Sequence, residues 1–122
     1  MKVLVVDDSL TMRRIVLNNL KKAGYEDVLE ADDGLAALGL LEQGHKVELI
    51  LLDWNMPNMN GLEFLKVVKA KDAFKAIPVI MVTTEAEKGQ VVLAIQAGAA
   101  GYLVKPVTPQ AFQKQVIEKI GK

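Results

Sequence analysis

The chain contains no cysteine, which excludes disulfides and thiolate metal sites and is compatible with a reducing compartment. Charge of a prevailing sign is missing as well. The 15 basic residues cancel the 15 acidic ones, so no general positive field exists to hold nucleic acid or an anionic membrane. Long apolar runs are absent from the start: Met1-Lys2-Val3-Leu4-Val5-Val6-Asp7-Asp8 meets two acids after four apolar residues, too few for a signal-peptide core or a membrane span. A cytoplasmic protein is expected. No repeat, linker, low-complexity tract or shift in composition marks a second domain. One domain over residues 1–122, with no effector domain, is therefore the expectation.

What is present is the balance of an ordinary globule, with 51% hydrophobic and 25% charged residues over 122 positions. A chain of this length buries roughly two-thirds of its unfolded surface around a single core. With no net field, partners must be recognised by local chemistry.

Short apolar runs alternate with amphipathic stretches of helical length. The runs are Val3 to Val6, Val28 to Ala31, Leu49 to Leu52, Val79 to Val82 and Tyr102 to Val104, rich in Val, Ile and Leu as strands buried on both faces should be. After the first run, Met12, Ile15, Val16, Leu20 and Ala23 form a helical stripe that Gly24 stops. Leu35 to Leu41 (stopped by Gly44), Leu62 to Val68, Val91 to Ala97 (stopped by Gly98) and Phe112 to Ile120 supply four more helices. Thr108-Pro109 offers the last one an N-cap with proline at its first position. Strands that alternate with helices pair in parallel through right-handed crossovers. The fold class expected is α/β: a (βα)5, doubly wound, five-stranded parallel sheet covered on both faces.

In such sheets ligands bind beyond the carboxyl ends of the strands, where the strand order reverses. The residues leaving those ends are Asp7-Asp8, Ala31-Asp32-Asp33, Asp53-Trp54-Asn55-Met56-Pro57, Thr83-Thr84 and Lys105-Pro106. If the first and third strands are neighbours there, Asp7, Asp8 and Asp53 converge. Each close pair then repels by roughly 4 kcal/mol at an effective dielectric of about 20, and the site wants a cation. Hard oxygen ligands, few in number and with room for water, suit magnesium better than zinc or a calcium cage. Lys105 adds a fixed positive charge and Thr83 a hydroxyl donor. A carboxylate nucleophile, a metal, a lysine and a hydroxyl make up half of a phosphoryl-transfer site, and the missing half is a donor.

Three segments carry a family resemblance: Asp53-Trp54-Asn55-Met56-Pro57-Asn58-Met59-Asn60-Gly61, Met81-Val82-Thr83, and Gly98-Ala99-Ala100-Gly101-Tyr102-Leu103-Val104-Lys105-Pro106. Together they resemble the receiver domain of response regulators in two-component systems, over the whole chain, and especially its CheY-like chemotaxis branch. The resemblance implies a flavodoxin-like sheet of order 2-1-3-4-5 and phosphorylation of Asp53 by a histidine kinase. It implies Mg2+ held by Asp8, Asp53 and the backbone carbonyl of Asn55, with Asp7 acting mostly through water. Thr83 and Lys105 would grip the phosphoryl oxygens, and the Lys105-Pro106 bond would be cis. On phosphorylation Thr83 would be drawn in and Tyr102 would swing from exposed to buried. The output face would be the fourth helix, fifth strand and fifth helix, near Glu85 to Gln96 and Tyr102 to Gln115. Implied partners are the kinase, a phosphatase and a downstream protein target such as the flagellar motor switch, with a phosphorelay shuttle as the alternative role. The resemblance departs at Val107 and Gln115, where chemotaxis regulators often have Phe and commonly Lys.

Blander readings stand beside these. Asp7-Asp8-Ser9 and Thr83-Thr84, taken alone, are helix caps, and Lys105-Pro106 is a strand end with a solvated lysine. His45, in a turn between helix and strand, is surface decoration, and the methionines at 12 and 81 sit at core spacing. A flavin or nucleotide module would share the fold, but Asp7-Asp8 would repel its phosphate. Hydrolases of the haloacid-dehalogenase kind use an aspartyl nucleophile with a second acid two residues later, where this chain has Asn55. The expected protein is thus a phosphoacceptor that catalyses its own modification, not a conventional enzyme.

Overall fold

The computed structural model describes residues 2–84, 89–105 and 108–117, with positions 116 and 117 described by backbone alone. Strands and helices alternate as β1 Val3–Val6, α1 Leu10–Lys22, β2 Val28–Ala31, α2 Gly34–Glu42, β3 Leu49–Asp53, α3 Gly61–Ala70, β4 Val79–Thr83, α4 Val91–Gln96, β5 Gly101–Val104 and α5 Pro109–Phe112. The last helix passes into a π-helical turn over Gln113–Ile117. It starts as expected, with Thr108 as N-cap and Pro109 at its first position, and the Thr108 hydroxyl accepts from the Ala111 amide at 3.1 Å. The expected end at Ile120 lies outside the described residues.

The strands form one parallel sheet in the order β2-β1-β3-β4-β5. Period-two alternation divides their side chains between two cores. Leu4, Val6, Ile50, Leu52, Val79 and Met81 face one way, onto Ala37 and Leu41 of α2, Phe64, Leu65 and Val68 of α3, and Ala94 of α4. Val3, Val5, Leu49, Leu51, Ile80, Val82 and Leu103 face the other way, onto Val16 and Leu20 of α1 and Phe112 of α5. The expected stripe on α1 holds, with Val16 and Leu20 buried at its centre. Each fully buried aliphatic side chain contributes about 1.5–3 kcal/mol, so strands apolar on both faces anchor the sheet.

The three glycines expected to stop helices, Gly24, Gly44 and Gly98, all take positive φ, between 92° and 110°. No helix among the described residues is long and apolar enough to cross a membrane.

Candidate functional site

The sheet order reverses between β1 and β3, and their register puts Val6 opposite Leu52. The next residue on each chain is an aspartate, so Asp7 and Asp53 leave the sheet side by side. Asp7 is 3% and Asp53 4% exposed, while Asp8 turns outward and is exposed. One carboxylate oxygen from each of Asp7, Asp8 and Asp53 lies within 4.8 Å of the other two. Lys105, just past β5, donates its own amide to the Thr83 carbonyl at 2.6 Å. Its Nζ donates to Asp53 Oδ1 at 2.9 Å and lies 3.5 Å from Asp7 Oδ2. With every group ionised, three negative charges meet one positive, and the remainder of two matches a divalent cation. Carboxylates alone are hard donors, so the set fits Mg2+ and not a soft metal.

Backbone contacts hold this cluster in place. The Ser9 amide donates to Asp7 Oδ1 at 2.8 Å, and the Ser9 hydroxyl in turn caps α1 by accepting from the Met12 amide. The capping reading of Asp7-Asp8-Ser9 is thus met by the Ser9 hydroxyl, which leaves the Asp7 and Asp8 carboxylates in the acidic cluster. Arg13 donates from Nη1 to the Asp7 carbonyl at 2.7 Å and pairs through Nε with Glu30 at 3.1 Å. On the other side the Gly61 amide donates to the Trp54 carbonyl at 2.8 Å, and a Cβ at position 61 would overlap the Asp53 carbonyl. Glycine is needed there because α3 begins directly against the backbone of the central aspartate. Trp54 itself is buried in the core, at 8% exposure.

Electrostatics follow from this packing. Burial is the main cause that pushes the Asp53 carboxyl up from 3.8 to about 6, and Asp7 adds to it, against the hydrogen bond from Lys105. Desolvation also acts on Lys105, but its contacts with Asp53 and Asp7 outweigh that and raise its pKa above the ordinary lysine value. The lysine is therefore a fixed positive charge at any physiological pH.

Thr83 ends β4, and its side chain is wholly buried. Its hydroxyl donates to the Thr84 carbonyl at 3.4 Å, a long bond for an O–H donor and one easily exchanged. α4 begins after Gln90, and residues 85–88, between it and Thr83, lie outside the described residues. Tyr102 is half-buried on β5 and packs against the core cluster that includes Ala94 and Ala99. Asn55 is exposed in the loop after β3. Pro106, with the expected cis bond, Val107 and the start of the output face at residues 85–88 lie outside the described residues.

The structure brings Asp7, Asp8, Asp53 and Lys105 together, as their places at the strand ends imply. Sequence reasoning missed three supports: Arg13, Gly61, and the pair Asp33 and Asn58. Asp33 caps α2 through the Ala36 amide at 2.8 Å and accepts from Asn58 Nδ2 at 2.7 Å, bonds that hold its carboxyl below the usual range. An aspartate before a helix was the available signal for the cap. Arg13 has none, because its partner at the site is a backbone carbonyl.

Comparison with known proteins agrees with this arrangement. Residues 3–117 match the response regulator receiver domain family. The chain is 50% identical to the chemotaxis protein CheY1 of Helicobacter pylori over 121 residues, covering 99% of this chain and 98% of that one. It is 48% identical to the chemotaxis protein CheY of Pseudomonas aeruginosa over 120 residues, covering 98% and 95%. The solved structure of the chemotaxis response regulator CheY4 of Vibrio cholerae superposes with a TM-score of 0.85 at 40% identity, covering 97% of each chain.

Proposed function

Because the chain belongs to the response regulator receiver domain family and is closely related to CheY chemotaxis regulators, we propose that it is a cytoplasmic signalling switch phosphorylated on Asp53. The family consists of signalling proteins, not enzymes in the usual sense, and the donor in this reading is a histidine kinase. The observation that carries it is the convergence of two buried aspartates, one exposed aspartate and a lysine at the switch point of the sheet.

An ionised Asp53 oxygen attacks the phosphorus of a phosphohistidine. The P–N bond breaks, its electron pair stays with the imidazole nitrogen, which takes up a proton from solvent, and an acyl phosphate remains on Asp53. The single charge of the carboxylate is replaced at the site by the charge of about −2 that the phosphoryl oxygens bring with them. Lys105, already 2.9 Å from Asp53, follows that charge. The Thr83 hydroxyl exchanges its long bond to the Thr84 carbonyl for a phosphoryl oxygen. Asp8, Asp53 and the Asn55 carbonyl are the groups that would hold Mg2+, with Asp7 acting mostly through water. When bound, the ion supplies the positive charge that three carboxylates and a phosphoryl group together require.

Movement of Thr83 passes to Tyr102, one strand away and half-buried, and so to α4. That helix leaves Val92, Leu93 and Ile95 at 61%, 50% and 47% exposure, an apolar strip suited to a protein target such as a flagellar switch component. Inverting a 1:99 population needs about 5.5 kcal/mol, within reach of several charge-assisted contacts acting together.

Trp54 lies next to the acceptor and is the chain's one tryptophan, so its fluorescence reports on the site. The emission is expected to change on titration with Mg2+ and again with beryllofluoride, a phosphoryl mimic. No response to either, under conditions where the protein is folded, would replace this reading with an inert receiver-like binding module.

A further inference from the structure

From the contact between α2 and the loop after β3, we infer that Asp33 and Asn58 form a latch that shapes this loop for cation binding. The inference rests on the functional reading above, in which the Asn55 carbonyl is a Mg2+ ligand. Asp33 and Asn58 are positioning residues in it and do not touch the ion.

Residues 54–59 run between β3 and the Asn60 cap of α3 and belong to neither element. Two contacts close the loop on itself: the Gly61 amide to the Trp54 carbonyl at 2.8 Å, and the Met59 amide to the Pro57 carbonyl at 2.7 Å. The side chains of Trp54, Met56 and Met59 pack against the core, but neither of these backbone contacts ties the tip of the loop to a neighbouring element. That tie is made by Asn58, which has a φ of 67° and is the non-glycine residue with positive φ among those described. A left-handed residue with a side chain persists where its surroundings favour that conformation, and asparagine tolerates it best. Here the surroundings are Asp33, whose Oδ2 accepts from Asn58 Nδ2 at 2.7 Å. The acceptor is itself oriented, because Oδ1 of the same carboxylate caps α2 through the Ala36 amide at 2.8 Å. The next residues also touch: a Cβ on Gly34 would come within 2.9 Å of Met59 Cγ and 3.0 Å of its carbonyl oxygen. The loop is thus clamped at its base by Gly61 and at its tip by α2, with Asn55, Met56 and Pro57 stretched between the clamps.

A ligand carbonyl on a preshaped loop binds without first being ordered, whereas a loosened loop loses that ordering entropy at the moment of binding. Groups that orient metal ligands from outside typically change affinity about tenfold or more when removed.

The test is a Mg2+ titration followed by Trp54 fluorescence, together with amide exchange at Met56, Asn58 and Met59 in the metal-free protein. Asn58→Gly accepts the left-handed backbone without strain and removes the side-chain bond, and the backbone freedom it adds is controlled for by the swap below, which keeps a side chain at position 58. Asn58→Gly should bind Mg2+ about tenfold more weakly and exchange faster in the loop. Asn58→Asp sets a second carboxylate against Asp33 and should weaken binding similarly, although added negative charge by itself would strengthen it. The exchange of partners, Asp33→Asn with Asn58→Asp, has the net charge of the wild type. In it the amide group introduced at position 33 can donate to the new carboxylate while its oxygen still caps α2, and both affinity and loop protection should return to within about twofold. Wild-type affinity and protection in Asn58→Gly would overturn the latch, as would a swap that restores neither. A wild type that does not respond to Mg2+ would instead overturn the metal reading, and the metal-free exchange would still decide whether the latch exists.

Discussion

Helices α3 and α4 flank the same end of the sheet and are built in opposite ways. α3 has ten residues, a reciprocal capping box between Asn60 and Glu63, and four buried positions. Its first residue, Gly61, sits on the Asp53 backbone. Near its end Lys69 donates to the carbonyls of Lys75 and Ile77 at 3.0 and 2.7 Å, buried enough to lower its pKa. α4 has six residues, no side-chain cap, and two buried positions, Val91 and Ala94. A helix that short does not hold itself together without tertiary contacts. In the function proposed above, over-determination beside Asp53 and a short, uncapped helix on the proposed output face suit a switch, since a fixed site can bias only an element that is free to move.

The largest effect that could break this contrast is at the rigid side. Gly61→Ala forces a methyl group into the Asp53 carbonyl and should cost about 3 kcal/mol, read as a lower urea midpoint. Val92→Ser on the exposed face of α4 should stay within about 0.5 kcal/mol. Equal effects at the two positions would erase the asymmetry.

The next effect sharpens it, because the rigid side holds a buried carboxyl against its preference. Folded Asp53 keeps its proton up to about pH 6, whereas the unfolded chain releases it near 3.8. Between those values the folded state binds more protons, so this group's contribution to stability falls as pH rises and levels off above 6. The loss is on the order of 3 kcal/mol. In a chelating buffer Asp53→Asn should flatten this part of the profile and melt higher than the wild type at pH 7. Parallel profiles for the two proteins between pH 4 and 6.5 would show that burial does not penalise the charge.

The smallest effect is on the loose side. Gly89 precedes α4, and a Cβ there meets nothing within 4 Å. Gly89→Ala should add about 0.5–1 kcal/mol and slow amide exchange across Val91–Gln96. Wild-type amides in that helix that already exchange as slowly as those of β3 would contradict the contrast.

The contrast also shows what a sequence can reveal. Side-chain patterns were legible: Val3 to Val6 and Leu49 to Leu52 are apolar on both faces and could only be interior strands. Asp7, Asp8, Asp53 and Lys105 all stand at strand ends, where position alone assigns them to one edge of the sheet. The strand order came from the resemblance, and Val6 opposite Leu52 agrees with it. Contacts with backbone atoms were not legible. Arg13 on the Asp7 carbonyl and Lys69 on two loop carbonyls meet acceptors that every residue carries, so no residue type marks them. Gly61 was visible only as one letter of a motif, because its need arises from how closely α3 approaches β3. Asn58 sat in the same motif, and its partner lies 25 residues away at the start of another helix.

Phosphoryl transfer to Asp53 can be tested directly by intact-mass spectrometry after incubation with acetyl phosphate and Mg2+. The wild type should gain the mass of one phosphoryl group, lose it on addition of hydroxylamine, and show no gain when the metal is chelated, while Asp53→Asn stays unmodified throughout. An unmodified wild type, or an Asp53→Asn protein that gains the same mass, would contradict the assignment.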